Sequence, residues 1–178
     1  VFEKENNNEI YKSAQELKKR GIKVKINTAL EFRNFEPFLP IIKAVVVSPS
    51  IPWDHPTLKK LRAIGIEIKG EISLAWERMN QLKWIGITGT NGKTTVTHMI
   101  NHILQSNDHK VEMAGNVGRS AANLALEIKQ KKNKPDYLVM ELSSYQLEAA
   151  TEVSPYIGIW TNLTEDHLER HKTIKNYG

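Results

Sequence analysis

The chain has 178 residues and a formal charge of +5, with 40% hydrophobic and 25% charged residues. That balance is the one of a globular protein with material for one large or two small domains. Cysteine is absent, which excludes disulfides and thiolate chemistry and fits a cytoplasmic protein. Apolar runs such as Ala44-Val45-Val46-Val47 and Tyr156 to Trp160 are far too short to cross a bilayer, so no membrane insertion is expected. The N-terminus has no basic region leading into an apolar core, hence no visible signal peptide, and no initiator methionine, so the chain is expected to begin within a longer protein. The excess lysines (Lys18, Lys19, Lys59, Lys60, Lys129, Lys131, Lys132) scatter over helix faces without interleaved aromatics. This reads as solvated surface with a mild attraction for small anions, and no nucleic-acid partner is expected.

In chain order, residues 1 to 3 form the stub of a strand ending at Glu3. Asn7 or Asn8 caps a helix through about Arg20, with Ile10, Ala14 and Leu17 on one face and Gly21 as its stop. Ile22, Val24 and Ile26 alternate with lysines, the pattern of a half-exposed strand. Between Phe32 and Ile42 the pattern is ambiguous, and Pro37 and Pro40 break any long helix. Ala44 to Val47 is a fully apolar strand that stops at Ser48-Pro49-Ser50-Ile51-Pro52, a rigid turn. His55-Pro56 opens a helix closed by Gly65, Ile66 and Ile68 mark a short strand, and Ile72 to Met79 a short helix. Asn80-Gln81 reads as a hinge between a first domain, 1–82, and a second, 83–178.

The second domain opens on an apolar strand, Trp84 to Ile87, a turn ending in Gly92-Lys93-Thr94-Thr95, and a helix from Val96 to Leu104. Glycine lets backbone N–H groups curl around an anion, and the helix N-terminus adds its positive dipole end. Lys93 can neutralise β- and γ-phosphate charge, and the next hydroxyl, Thr94, can hold Mg²⁺. The usual phosphate-loop spacing wants glycine where Ile87 stands, so Gly89 must supply the bend. Gly89, Thr90, Asn91, Gly92, Lys93, Thr94 and Thr95 are therefore the expected nucleoside-triphosphate contacts. Further strands run over Lys110 to Ala114, Asp136 to Leu142 and Tyr156 to Trp160, with an amphipathic helix from Ala121 to Lys131. Strands alternating with helices imply an α/β fold with a mostly parallel sheet covered on both faces.

In such a sheet, ligands bind beyond the carboxyl ends of the strands. Lys93 and Thr94, Asn116, Glu141 and the Asn162 to His167 cluster all arrive there. Glu141 ends an apolar strand, where a carboxylate is costly unless it meets a cation; a Mg²⁺ shared with Thr94 and phosphate satisfies it, and a water-exposed strand end is the alternative. His167 on the same rim is read as a metal ligand or a substrate contact, with a surface or hydrogen-bonded histidine as the alternative, and His171 reads as the latter. Asn116 lies beside Gly115 and near Gly118, which permit close ligand approach. Ser143 and Ser144 have no paired base, so serine hydrolysis carries little weight.

At these residues the chain resembles the Mur ligases, ATP-dependent amide-forming enzymes of peptidoglycan precursor synthesis. Thr88-Gly89-Thr90-Asn91-Gly92-Lys93-Thr94-Thr95 is similar to their phosphate loop, missing first glycine included. Glu141-Leu142-Ser143-Ser144-Tyr145-Gln146-Leu147-Glu148, Gly115-Asn116-Val117-Gly118 and Thr161 to Leu168 resemble the branch that adds D-glutamate, as do Ser48 to Pro52, His55-Pro56 and Gly65 to Glu71. The resemblance implies a partial Rossmann-like UDP-substrate domain over 1–82 and the first part of a phosphate-loop ATPase domain over 83–178. It implies ATP and Mg²⁺ as cofactors, UDP-N-acetylmuramoyl-L-alanine and D-glutamate as substrates, and a monomeric parent. In it Lys93, Glu141 and His167 are the catalytic set, and Thr94, Glu141 and His167 hold metal. Asn116, Ser144, Gln146 and His167 line the muramoyl site, with Glu3, Ser48, Pro49 and Ser50 near the UDP group. Ser50 departs from the family, which has glycine there. The family's first strand and glycine-rich loop would precede Val1, and its carbamylated lysine and third domain would follow Gly178, so an internal fragment, inactive alone, is expected. A regulatory nucleotide-binding module, a non-catalytic scaffold and the related folylpolyglutamate synthetases are the alternatives.

Overall fold

The computed structural model describes residues 1–130 and 134–177. The expected helix end at Lys131, and Lys132 beside it, lie outside them. The chain forms two compact units, one of residues 1–45 and 54–68, the other of residues 46–53 and those from 69 onward.

In the smaller unit, α1 (Asn8–Lys19) is capped by the Asn7 side chain, which accepts from the Glu9 and Ile10 N–H groups. Glu9 in its first turn and Lys18 and Lys19 in its last oppose the helix dipole, and Ala14 is its buried residue. The strand expected over Ile22 to Ile26 does not form. A single parallel bridge joins Phe2 to Lys25, with Glu3 N donating to Lys25 O and Lys25 N to Val1 O, both at 2.9 Å. An alternating pattern makes a strand only where a run of backbone partners lies beside it. Phe2 packs edge-on against buried Phe35 with ring centroids 5.0 Å apart. The ambiguous stretch resolves into two 3-10 turns, Phe32–Asn34 and Glu36–Phe38, the second containing Pro37. Helix α2 (Pro56–Ala63) starts with proline in its first turn, where no N–H is needed, and buries Leu58 and Leu61 completely.

Strand β1 (Ala44–Val47) pairs with β2 (Glu67–Gly70) in a two-stranded sheet. Although β1 is wholly apolar, Val47 alone is buried and Val46 is 52% exposed. Apolar sequence marks what can be buried, but only packing elements cover it.

The larger unit adds α3 (Glu71–Met79), β3 (Lys83–Thr88), α4 (Lys93–Ser106), β4 (Val111–Gly115), α5 (Ala121–Gln130), β5 (Tyr137–Glu141), α6 (Ser144–Glu148), β6 (Ile157–Trp160), α7 (Leu168–His171) and α8 (Ile174–Tyr177). The four strands form one parallel sheet in the order β4-β5-β3-β6. Period-two alternation splits the side chains between two cores. Trp84, Leu138 and Met140 join Ile72, Ala75, Met79, Leu124 and Ile128 of α3 and α5 on one face. Ile85, Ile87 and Val139 meet Val96, Ile100 and Leu104 of α4 on the other. Trp84 is fully buried, yet its indole N–H is satisfied by the Met79 carbonyl at 3.0 Å.

Helix α3 belongs to this unit. Its anchors are specific: Glu71 Oε1 accepts from Ala122 N at 2.8 Å at the start of α5, and Ser73 Oγ donates to Ala149 O at 2.8 Å. Among the described residues, no helix is long and apolar enough to cross a membrane.

Candidate active site

The loop expected to bind phosphate is the connection from β3 to α4. Gly92, at φ 80°, caps the helix, and α4 begins at Lys93 rather than at Val96, so Lys93 and Thr94 stand in its first turn. The Lys93 ammonium folds back over the loop and donates to Gly89 O at 2.7 Å and Thr90 O at 2.9 Å. Thr94 and Thr95 are exposed, while Thr97 is buried and donates to Lys93 O at 2.8 Å.

The loop is held from outside by the segment that follows β6. Asn91 N donates to Asn162 Oδ1 at 2.9 Å, Asn162 Nδ2 to Asn91 O at 3.0 Å, and Thr161 Oγ1 to Asn91 O at 2.7 Å. Thr90 N reaches Asn162 O at 3.0 Å, and the Thr90 hydroxyl donates to Thr164 O at 3.1 Å while Thr164 N donates to it at 3.0 Å. Tyr177 OH completes this knot, 3.1 Å from the Thr90 hydroxyl. Gly89 lies so close that a Cβ there would sit 2.2 Å from Thr161 Oγ1. The bend expected at Gly89 therefore has two requirements, a backbone φ of 131° and the absence of a side chain.

Glu141 ends β5 between Ile87 of β3 and Gly115 of β4. Alternation puts it on the same face as Val139, the face covered by α4. It is 2% exposed. Asn116 Nδ2 donates to Glu141 Oε1 at 3.1 Å and Asn116 N to Glu141 O at 2.8 Å, while Glu141 Oε2 is buried without a hydrogen-bond partner. The water-exposed alternative for Glu141 thus fails. A buried carboxylate oxygen without a donor calls for a cation. Among the described residues no three His, Cys, Asp or Glu side chains could hold a metal by themselves.

Of the remaining expected residues, His167 stands at the start of α7 in left-handed backbone, φ 51°, with Asp166 3.5 Å from Nε2 and Glu169 3.6 Å from Nδ1. The Tyr145 ring lies 4.9 Å from its imidazole. Gln146 is only 6% exposed, and its side chain closes a capping box with Ser143: Ser143 N donates to Gln146 Oε1 at 2.9 Å, and Gln146 N to Ser143 Oγ at 3.3 Å. Ser144 Oγ is 2.9 Å from His171 Nε2. Burial, ahead of nearby charges, lowers the His171 pKa, while burial and then the hydrogen bond to Glu169 raise that of Tyr145. Ser48 and Ser50 are exposed with their hydroxyls 3.0 Å apart. Glu3 lies in the smaller unit, where its carboxylate accepts from Glu5 N at 3.0 Å.

The structure thus gathers the loop residues around α4 and joins Asn116 to Glu141. The sequence reading passed over Thr161, Asn162, Thr164 and Tyr177 as holders of the loop, and Arg170 altogether. The polar run after β6 was the available signal; its target was not visible.

Residues 87–178 match the Mur ligase middle domain, and the chain belongs to the Mur ligases. It is 52% identical over 178 residues to the UDP-N-acetylmuramoylalanine--D-glutamate ligase of Prochlorococcus marinus, covering 99% of this chain and 38% of that protein. To the protein of the same name from Synechococcus sp. it is 55% identical over 165 residues, 92% of this chain and 36% of that one. The chain therefore spans little more than a third of the length of these relatives. Among solved structures, the UDP-N-acetylmuramate:L-alanyl-gamma-D-glutamyl-meso-diaminopimelate ligase from Neisseria meningitides superposes with a TM-score of 0.58 at 14% identity, over 99% of this chain and 56% of that one. The UDP-N-acetylmuramate-alanine ligase from Thermotoga maritima does so with a TM-score of 0.50 at 21% identity, over 99% and 39%. At such identities the likeness is one of fold, and it agrees with the α/β, mostly parallel architecture expected from the sequence.

Proposed function

We propose that this chain supplies the ATP site and part of the muramoyl-substrate site of a ligase that adds D-glutamate to UDP-N-acetylmuramoyl-L-alanine, residues 83–178 serving ATP and residues 1–82 the UDP-linked substrate. The reading is supported most by one observation: the buried, unpaired Glu141 oxygen on the strand beside the phosphate-loop strand. In this reading the ATP γ-phosphoryl passes to the alanine carboxylate, the γ-phosphorus–oxygen bond breaks, and ADP leaves. The D-glutamate amine then attacks the acyl phosphate carbonyl, loses its proton and displaces phosphate.

Lys93 exchanges its loop carbonyls for β- and γ-phosphate oxygens, which a charged donor prefers. Gly89 to Gly92 and the first turn of α4 present N–H groups to the phosphates. Glu141 and Thr94 hold Mg²⁺, which when bound offsets phosphate charge, and His167 serves the second metal or the substrate carboxylate. Asn116, already bonded to Glu141, fixes that carboxylate and faces the muramoyl substrate, with Ser144 and Gln146 shaping the wall through their helix. Ser48, Pro49 and Ser50 serve the UDP end. In this reading the reaction is cytoplasmic and the enzyme monomeric.

The test is a titration of ADP with and without Mg²⁺. Unsubstituted protein should bind ADP more tightly with Mg²⁺. Glu141→Gln should lose that gain and keep metal-free binding and thermal stability, since it neutralises an unpaired buried charge. Thr94→Ala should lose more of the gain than Thr95→Ala. An unchanged magnesium effect in Glu141→Gln removes the metal assignment. Absence of glutamylated product from the full-length protein given Mg-ATP, UDP-N-acetylmuramoyl-L-alanine and D-glutamate removes the reaction.

A further inference from the structure

One heavily bonded side chain on the rim of the larger unit is used by neither the phosphate loop nor the metal site. Arg170, in α7, has a side chain only 10% exposed. Its Nε and Nη2 donate to Glu148 Oε2 at 2.9 and 2.6 Å, a charge-assisted fork onto the end of α6. The same guanidinium also collects three successive carbonyls of the Pro49 turn: Ile51 O at 2.9 Å from Nη2, Pro49 O at 3.4 Å from Nη2, and Ser50 O at 3.4 Å from Nη1. Its outer face is covered by the Tyr145 ring, whose centroid is 4.8 Å from Cζ.

Among the described residues, the turn itself contributes one backbone hydrogen bond. Its own bond is Ile51 N to Ser48 O at 3.0 Å, and Ser48 and Ser50 keep their hydroxyls on the exposed side. Helix α7, in contrast, is held without the guanidinium, because Arg170 N and His171 N both donate to His167 O, at 2.9 and 3.0 Å. A rigid planar fork can satisfy one carboxylate oxygen and several carbonyls at once, which an ammonium on a flexible stem cannot. The bonds run in one direction of consequence: removing the guanidinium releases the turn and leaves the helix.

We propose that Arg170 is a positioning residue for the nucleoside-diphosphate end of the muramoyl substrate: it pins the Pro49–Ile51 carbonyls inward so that the Ser48–Ser50 hydroxyl pair and the Ser50 N–H face the ligand in a fixed geometry. The inference rests on the assignment of this turn to UDP made above. It also gives a reason why serine is tolerated at position 50, since the turn is shaped by its carbonyls and not by its side chains.

The experiment compares Arg170→Gln and Arg170→Lys with the unsubstituted full-length protein by titration with UDP-N-acetylmuramoyl-L-alanine and, separately, with Mg-ADP, alongside steady-state kinetics. Arg170→Gln should weaken the UDP ligand about tenfold or more, the scale of one lost charge-assisted contact, with Mg-ADP affinity within about twofold. Arg170→Lys should fall between the two. KM for the UDP substrate should rise in the same order with KM for ATP constant, a split that general unfolding does not produce. Hydrogen exchange at residues 50–53 should quicken in Arg170→Gln. Equal affinities for the UDP ligand in all three proteins, or a parallel loss of both ligands, overturns the role of Arg170. If the unsubstituted protein itself fails to bind the UDP ligand, the function reading fails, and this inference with it.

Discussion

Replacing Gly89 by alanine tests the loop architecture at a single atom. The added Cβ would lie 2.2 Å from Thr161 Oγ1, 2.9 Å from Asn162 O and 3.1 Å from Asn162 N, whereas ordinary contact begins near 3.4 Å. Neither neighbour is the far end of a flexible chain: Thr161 is tied to Asn91 O at 2.7 Å and Thr88 O at 3.3 Å, and Asn162 O accepts from Thr90 N at 3.0 Å. Moving Thr161 out of the way gives up about one hydrogen bond, about 1 kcal/mol. The positive φ adds about 1–3 kcal/mol of backbone strain for any residue with a Cβ. Together these disfavour the loop by roughly 2–4 kcal/mol, and a binding-competent loop that is less populated lowers nucleotide affinity by the same factor, about 30-fold to several hundredfold. The assay is Mg-ADP titration of Gly89→Ala, Thr161→Ala and the double variant, with thermal melting beside it. Thr161→Ala removes the nearest obstacle, so the double variant should bind better than the sum of the two single losses predicts. Gly89→Ala binding nucleotide like the unsubstituted protein, or strict additivity in the cycle, would refute the steric account of the bend.

Two further outcomes follow from the core and from the rim. Trp84→Ala should destabilise the protein by about 3–5 kcal/mol, since it empties a fully buried site and strands the Met79 carbonyl; denaturant unfolding measures it, and a loss below about 1 kcal/mol would mean that the α3–α5 face is not a packed core. Burial lowers the His171 pKa below its unfolded value, so the folded state binds fewer protons than the unfolded chain in the window just below pH 6.5. Stability from this residue is therefore complete above that window and lost as pH falls through it. Melting temperatures between pH 5 and 8 should show a downward slope on acidification that His171→Gln flattens, and an unchanged slope in that variant would assign the effect elsewhere.

What the sequence determined by itself is local. The Asn7 cap, the stop at Gly21, the break at Pro37 and the strand–loop–helix of residues 83–106 depend on neighbours within a few positions. Caps, fixed proline φ and glycine's freedom act at that range. The apolar runs Trp84 to Ile87 and Leu138 to Met140 likewise announced buried strands. The same local rules misjudged Ile22 to Ile26, which forms an isolated bridge at Lys25 instead of a strand, and they placed β1 correctly without saying how much of it would be covered. Tertiary structure decided which polar residues meet. Glu141 lies beside Ile87 and Gly115 because the parallel sheet runs β4-β5-β3-β6, an order that sequence adjacency does not set. That order separates a carboxylate with no protein partner for one oxygen from the many acids that reach water. Thr161 against Gly89, 72 positions apart in the numbering, and Arg170 on Pro49 to Ile51, about 120 residues away, are contacts made by chain crossings. Hydrogen bonds and steric exclusion act only over a few ångströms, so residues so far apart in the chain acquire their roles only when folding brings them to that distance.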